Sequence, residues 1–159
     1  MQTSFICENK KIGNVEITTE SEKVLAIVYT KKKIGKATIK NAFQKKVEKQ
    51  LEQYFASKSD TFTISVEIWG TPFQMAVWEQ IAKIPYGKTK TYSEIAKAIK
   101  KPKAVRAVGT ACGANPVPLL VPCHRVLPTS GGLGNYAGGK DKKEFLLKLE
   151  KAVLCNQKK

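Results

Sequence analysis

The chain has 159 residues, 42% of them hydrophobic, which is enough to bury a core in one ordinary domain or two small ones and excludes a disordered tail. No apolar run reaches the roughly 20 residues that span a bilayer, and the opening MQTSFICENKK lacks the basic-then-apolar order of a secretory signal, so a soluble cytoplasmic protein is expected. With 28 Lys and Arg against 13 Asp and Glu, the formal charge of +15 favours a polyanionic partner such as nucleic acid, solubility being the alternative use of so many lysines.

In chain order, residues 3–66 read as short strands and turns. VEITTESEKVLAIVY alternates about a polar turn at residues 21–23, as two joined strands would. Residues 38–55 read as a helix with Ala42, Val47, Leu51, Tyr54 and Phe55 near one stripe, and FTISVEIW returns to strand alternation. No convergent reactive side chains stand in this half, which reads as scaffold. Composition shifts near Gly70 and Pro72, so a domain boundary is expected between 68 and 69. The fold class is α/β in the α+β sense: a small sheet-and-helix domain over 1–68, then a mostly helical domain over 69–159.

Pro72 suits the first turn of a helix over 73–84, with Phe73, Val77, Ile81 and Ile84 on its apolar face. TYSE is a capping signal at Thr91 and Glu94 that opens a short helix with Ile95, Ala98 and Ile99 inward. A second helix is expected from Pro102 through KAVRAVGTAC to Gly113, and the tight connection gives helix-turn-helix spacing. Gly109 inside it costs about 1 kcal/mol against Ala, which is either tolerated or lets a backbone come close. Apart from Arg106, the residues Thr110, Gly113 and Ala114 are short, so this helix offers little for bidentate base reading. Last, DKKEFLLKLEKAVL reads as an amphipathic helix capped at Asp141, with Phe145, Leu146, Leu149 and Val153 inward. Glu150 falls at the margin of that stripe, where a glutamate ordinarily faces solvent.

Cys7, Cys112, Cys123 and Cys155 are far apart, in no CxxC arrangement, and read as free thiols rather than disulfides or zinc ligands. The most informative stretch is NPVPLLVPCHRV. Its prolines bar a regular helix and impose an extended or turned path. Cys123 there is either an inert small hydrophobe or a nucleophile, and His124, the only histidine, supplies a base if a carboxylate elsewhere orients it. Consecutive side chains in an extended segment point apart, so the pair would need a turn or a bridging water.

The segments KTYSEIAKAIKKPKAVRAVGTACGANPVP, NPVPLLVPCHRV and GNYAGGKDKKEFLLKLE resemble the O6-alkylguanine-DNA alkyltransferases, over about residues 71–150. The resemblance implies DNA repair by irreversible, single-turnover transfer of an alkyl group from O6-alkylguanine, and O4-alkylthymine, in a flipped-out nucleotide of double-stranded DNA. It implies a monomer with no cofactor, metal or membrane. Cys123 matches the alkyl acceptor, His124 the base acting through a water, and Glu150 the carboxylate orienting it, against the surface reading above. Asn115 matches the hinge asparagine and Tyr92 the donor to guanine N3. Val126, Tyr136, Gly138 and Lys143 match the substrate-binding backbone, loop and helix start. Arg106 matches the finger that fills the vacated space in the duplex, with Thr91, Thr110, Ala111 and Arg125 beside it on DNA. Cys112, Gly113 and Ala137 depart from larger, basic or serine residues in relatives. Three rivals stay open: a lesion-binding relative that transfers nothing, a plain winged-helix module, and a cysteine hydrolase that turns over.

Overall fold

Alternating apolar residues over 3–30 build an antiparallel sheet in the computed structural model of the chain, which describes residues 1–35 and 39–157, the side chains of 152–157 excepted. β1 (Thr3–Cys7), β2 (Asn14–Glu20) and β3 (Lys23–Thr30) lie in that order. Phe5 stands opposite Ile17, and Ile17 opposite Ile27, so the apolar positions fall on one buried face. Ser21 and Glu22 join β2 to β3 with φ of 49° and 58°. Both residues are left-handed, as a two-residue type I′ turn requires.

α1 (Ala42–Phe55) starts where Asn41 Oδ1 accepts from Gln44 N at 2.8 Å while Gln44 Oε1 accepts from Asn41 N at 3.1 Å, a capping box. Thr38, the expected start of this helix, lies outside the described residues. Gln44, Val47, Leu51 and Tyr54 are buried, whereas Ala42 is exposed. At 3.6 residues per turn Ala42 sits about 200° from Gln44, off the buried line. The buried Gln44 amide donates to the hydroxyls of Thr3 and Thr19, at 2.9 and 3.1 Å. FTISVEIW keeps its alternation, with Phe62, Ile64 and Val66 half-buried, but forms no ladder. It meets β3 at a single parallel bridge, in which Val24 N donates to Ser65 O and Glu67 N to Val24 O.

The chain divides into two compact units, Met1–Ile68 and Trp69–Lys159. In the second, Thr71 caps α2 (Pro72–Ala82), which buries Val77, Trp78 and Ile81 and leaves Phe73 half-buried. The helix stops short of Ile84, which is buried from the turn that follows. Trp78 Nε1 donates to Ala111 O at 2.8 Å, and its ring lies over Gly70, where a Cβ would come within 2.6 Å of it.

α3 (Tyr92–Ala98) carries the expected box: Thr91 Oγ1 accepts from Glu94 N at 3.1 Å, and Glu94 returns the bond at 2.9 Å. Ile95 and Ala96 face the core and Ala98 is exposed, a correction of phase. Lys100 at φ 62° turns the chain out of the helix. α4 (Val105–Gly113) begins three residues after Pro102, because residues 102–103 form a turn closed by Ala104 N donating to Lys101 O. α5 (Lys140–Gln157) has Asp141 within its first turn instead of ahead of it. Leu146 and Leu147 are buried, Phe145 and Leu149 half-buried, and the side chains of Val153 and Cys155 lie outside the described residues.

Candidate active site

The backbone after α4 is held by one amide. Asn115 Nδ2 donates to Val121 O at 2.8 Å and Asn115 Oδ1 accepts from Val117 N at 3.0 Å, closing the proline-rich segment into a turn. Within it Leu119 takes φ 78°, a conformation a leucine adopts only when its surroundings impose it. NPVPLLVPCHRV is therefore turned, not extended. Cys123–Arg125 form a 3-10 turn, after which β5 (Val126–Leu127) pairs in parallel with β4 (Lys90–Thr91). That pairing brings the Cys123 turn to the start of α3.

The 3-10 turn brings the side chains of His124 and Arg125 to one carboxylate, that of Glu150. His124, fully buried, has its Nε2 at 2.7 Å from Glu150 Oε1 of α5. Arg125 grips the same carboxylate through Nε, at 3.1 and 3.0 Å, and through Nη2 at 2.8 Å, while its Nη1 donates to Ile84 O at 2.7 Å. Gly87 N donates to Glu150 Oε2 at 3.2 Å. Burial alone would raise the Glu150 pKa. The bonds and charges of His124 and Arg125 more than reverse that and hold it at about 2, so it is a carboxylate at neutral pH.

Burial pushes the His124 pKa down despite the bond to Glu150, so the ring is neutral at pH 7. An ionised carboxylate only accepts, so the ring proton sits on Nε2 and the lone pair on Nδ1. Nδ1 is buried and has no protein hydrogen-bond partner among the described residues. The ring thus keeps a free basic site beside the acceptor candidate. Cys123 is 6% exposed, and burial raises its thiol above the ordinary value of 9.0, with the Asn115 hydrogen bond and the Lys143 charge pulling the other way. At pH 7 this sulfur rests as a thiol.

An open groove of about 410 Å³ lies along α4, lined by Tyr92, Arg106, Gly109, Thr110 and Gly113, with Gly134 and Asn135 opposite. Cys123 is not on its wall. Burial, then the nearby Cys112 and Cys123, hold the Tyr92 phenol at about 12, so it remains an O–H donor. Around the turn between α3 and α4, Lys97, Lys100, Lys101, Lys103 and Arg106 are exposed. A Cβ on Gly109 would meet nothing within 4 Å. Nothing in the protein's own packing requires that glycine.

The structure bonds His124 to Glu150, ties the segments on either side of the Cys123 turn to Asn115 and Lys143 through Val121 O and Val126 O, and sets Tyr92, Arg106 and Thr110 on the groove. Tyr136 stands half-buried with its ring edge-on to His124 at 6.5 Å between centroids, and Gly138 is half-buried in the same loop. Val126 O already accepts from Lys143 Nζ at 2.8 Å. Two expected DNA contacts are corrected. Arg125 is 7% exposed with its guanidinium committed to Glu150 and Ile84, and Ala111 is 2% exposed with its carbonyl bonded to Trp78, so neither is available to an outside partner. The hydroxyl of Thr91 is engaged as the α3 cap. Sequence reasoning missed the Arg125 clasp on Glu150. The basic residue next to His124 was its only signal.

Fold and site together define an α+β protein with a buried thiol, a carboxylate-oriented histidine and a basic surface about the turn between α3 and α4. The family 6-O-methylguanine DNA methyltransferase, DNA binding domain, matches residues 72–152. A methylated-DNA--protein-cysteine methyltransferase of Methanosarcina mazei is 53% identical over 108 residues, covering 68% of this chain and 68% of that protein. The crystal structure of Mycobacterium tuberculosis O6-methylguanine methyltransferase superposes with a TM-score of 0.86 at 34% identity, over 96% of this chain and 94% of the other. A Mycobacterium tuberculosis OGT in complex with DNA gives 0.83 at 35% identity, over 93% and 92%. The chain belongs to the 6-O-methylguanine DNA methyltransferase family.

Proposed function

We propose that the chain repairs double-stranded DNA by moving the alkyl group of O6-alkylguanine onto Cys123, once per molecule. The observation that carries this reading is the neutral, Glu150-oriented His124 with its Nδ1 lone pair free in the site of a buried thiol. His124 takes the thiol proton through a water, Sγ attacks the alkyl carbon in line, and the carbon–O6 bond breaks with its electron pair going to the purine. The Tyr92 phenol donates to N3 of that purine as charge develops, and His124 returns its proton to the leaving base. The product is a neutral thioether, which none of these side chains can cleave, so the protein is spent.

An alkylated O6 is shielded by stacking and pairing, so the nucleotide must leave the duplex at a cost of a few kcal/mol, less for a weakened pair. In this reading α4 lies on the DNA, Arg106 fills the vacated space, and the exposed lysines of the α3–α4 turn meet phosphates. The loop carrying Tyr136 and Gly138 closes over the extruded base. A cytoplasmic location accords with the free thiols of Cys7, Cys112 and Cys123 and, among the described residues, with no helix long and apolar enough to cross a membrane.

Incubation with duplex DNA carrying O6-methylguanine, followed by peptide mass spectrometry, tests the whole reading. One methylene mass on the Cys123 peptide, in stoichiometric and not catalytic yield, is expected. Tight binding without that mass would leave a lesion-binding protein, and repeated turnover would leave a hydrolase.

Two further outcomes concern α4. Arg106→Ala is expected to slow transfer from duplex DNA far more than from the free alkylated base, measured as two single-turnover rates. Equal losses would remove its role in the duplex. Gly109→Ala is expected to raise stability by about 1 kcal/mol through helix propensity while weakening duplex binding, because the added methyl projects into the groove. A calorimetric scan and a binding titration read the opposite signs.

A further inference from the structure

The loop that follows β5 is thinly held where it begins. Residues 129–132 are exposed, and a Cβ on Gly131 or Gly132 would meet nothing within 4 Å. Both glycines take positive φ, 99° and 79°, a conformation their missing Cβ permits but does not by itself select. The stretch is restrained by Gly131 N donating to Pro128 O at 3.2 Å and by a 2.8 Å hydrogen bond between the hydroxyls of Ser93 and Thr129. Further on, Asn135 O accepts from Lys143 Nζ at 3.4 Å, which ties down the middle of the loop.

Ser93 directly follows Tyr92 in the first turn of α3. Thr129 directly follows Pro128, and Pro128 packs on Gly134: a Cβ there would stand 3.0 Å from Pro128 Cγ and 3.3 Å from the Tyr92 phenol oxygen. A closed circuit results. It runs from Tyr92 to Ser93, across the hydroxyl bond to Thr129, back to Pro128, over to Gly134 and onto the phenol oxygen. Tyr92 and Gly134 both line the groove along α4, so the circuit stands in its wall.

We propose that Ser93 and Thr129 are positioning residues whose bond latches the start of this loop to α3 and so fixes where the Tyr92 phenol stands for the purine. This rests on the alkyl-transfer reading above, in which that phenol donates to N3. Without the latch, Pro128 is free to part from Gly134, and the phenol loses the wall that bounds it. The fold does not depend on either hydroxyl, because α3 is capped by Thr91 and Glu94 and β5 is held to β4 through the backbone. The bond is exposed, so water takes the place of whichever hydroxyl is removed and no buried group is orphaned.

The test is the single-turnover rate of methyl transfer from O6-methylguanine duplex DNA at saturating protein. It is measured for the full chain, Ser93→Ala, Thr129→Val and the double variant, each with and without Tyr92→Phe, and duplex affinity and thermal midpoints are recorded alongside. Each single substitution is expected to slow transfer about three- to fivefold, within the range of one net hydrogen bond, and the double variant no more than either. In the Tyr92→Phe background none of them is expected to slow transfer further, and thermal midpoints are expected to hold. Unchanged rates, losses that multiply in the double variant, or losses that persist at full size beside Tyr92→Phe would overturn the proposal. So would midpoints that fall in step with the rates, which would make the pair a staple of the fold. A loss confined to duplex affinity, with the saturated rate intact, would overturn it too by making the two hydroxyls phosphate contacts. If the unsubstituted chain transfers no methyl, it is the repair reading itself that fails.

Discussion

Cys123→Ala abolishes methyl transfer and leaves affinity for alkylated duplex DNA unchanged: that is the expected result with the largest effect. Cys123 is 6% exposed and does not line the groove along α4, so its removal takes nothing from the DNA-facing surface. The backbone of the turn is held by Asn115, by Val121 O accepting from Cys123 N at 2.8 Å, and by the β4–β5 pairing, none of which needs the sulfur. Exchanging a buried thiol for a methyl leaves a small cavity and costs about 1 kcal/mol. The variant therefore folds. Mobility-shift titration on O6-methylguanine duplex, alongside methyl transfer, reads both halves. Loss of binding in parallel with transfer would mean that the sulfur holds the DNA surface together instead of accepting the alkyl group.

The second large effect is expected at Glu150. Glu150→Ala leaves the Arg125 guanidinium buried without its counter-charge and His124 without its orienting acceptor, which costs about 3–5 kcal/mol. Glu150→Gln keeps the shape but turns an acceptor into a donor toward Arg125 or Gly87, and loss of such an orienting partner typically slows chemistry 10–100-fold, so a deficit of about that size is expected. The pH dependence separates this from generic instability. The Glu150 pKa is held at about 2 against an unfolded value near 4.5, so the folded state prefers the carboxylate. Its contribution is complete above about pH 4.5 and is lost as the pH falls toward 2, on the order of 3 kcal/mol in all. Acid unfolding of wild type should steepen through that window, and Glu150→Gln should flatten it. Identical acid profiles would mean that another carboxylate controls acid stability.

Some of this was plain in the residues. TYSE announced the α3 cap because both halves of a capping box lie within one turn, and PCHR marked a thiol beside a base because the two are adjacent in the chain. The hairpin followed from alternation about a polar turn expected at residues 21–23, which the structure narrows to Ser21 and Glu22, Lys23 already opening β3. Phase was harder. Ala42 and Ala98 were expected inside and are exposed, since a small residue fits either face and helix periodicity alone does not choose the origin of the stripe. FTISVEIW has the alternation of a strand but meets one bridge, because a ladder needs a partner edge that no pattern within the segment can supply.

What the sequence by itself determined, then, is the local chemistry: capped helices, a hairpin, a strongly basic chain, and a cysteine and histidine side by side. What only the tertiary structure decided is which charges meet. Glu150 at the margin of a helical stripe reads as a surface residue until α5 packs against the Cys123 turn, and Arg125 reads as a DNA contact until its guanidinium closes on that same carboxylate. Lys143, matched by resemblance to a helix start that closes over the base, is buried instead, with its ammonium donating to Val126 O. The ionisation of a buried group depends on neighbours many residues away in the chain, and only folding brings those neighbours within a few ångströms.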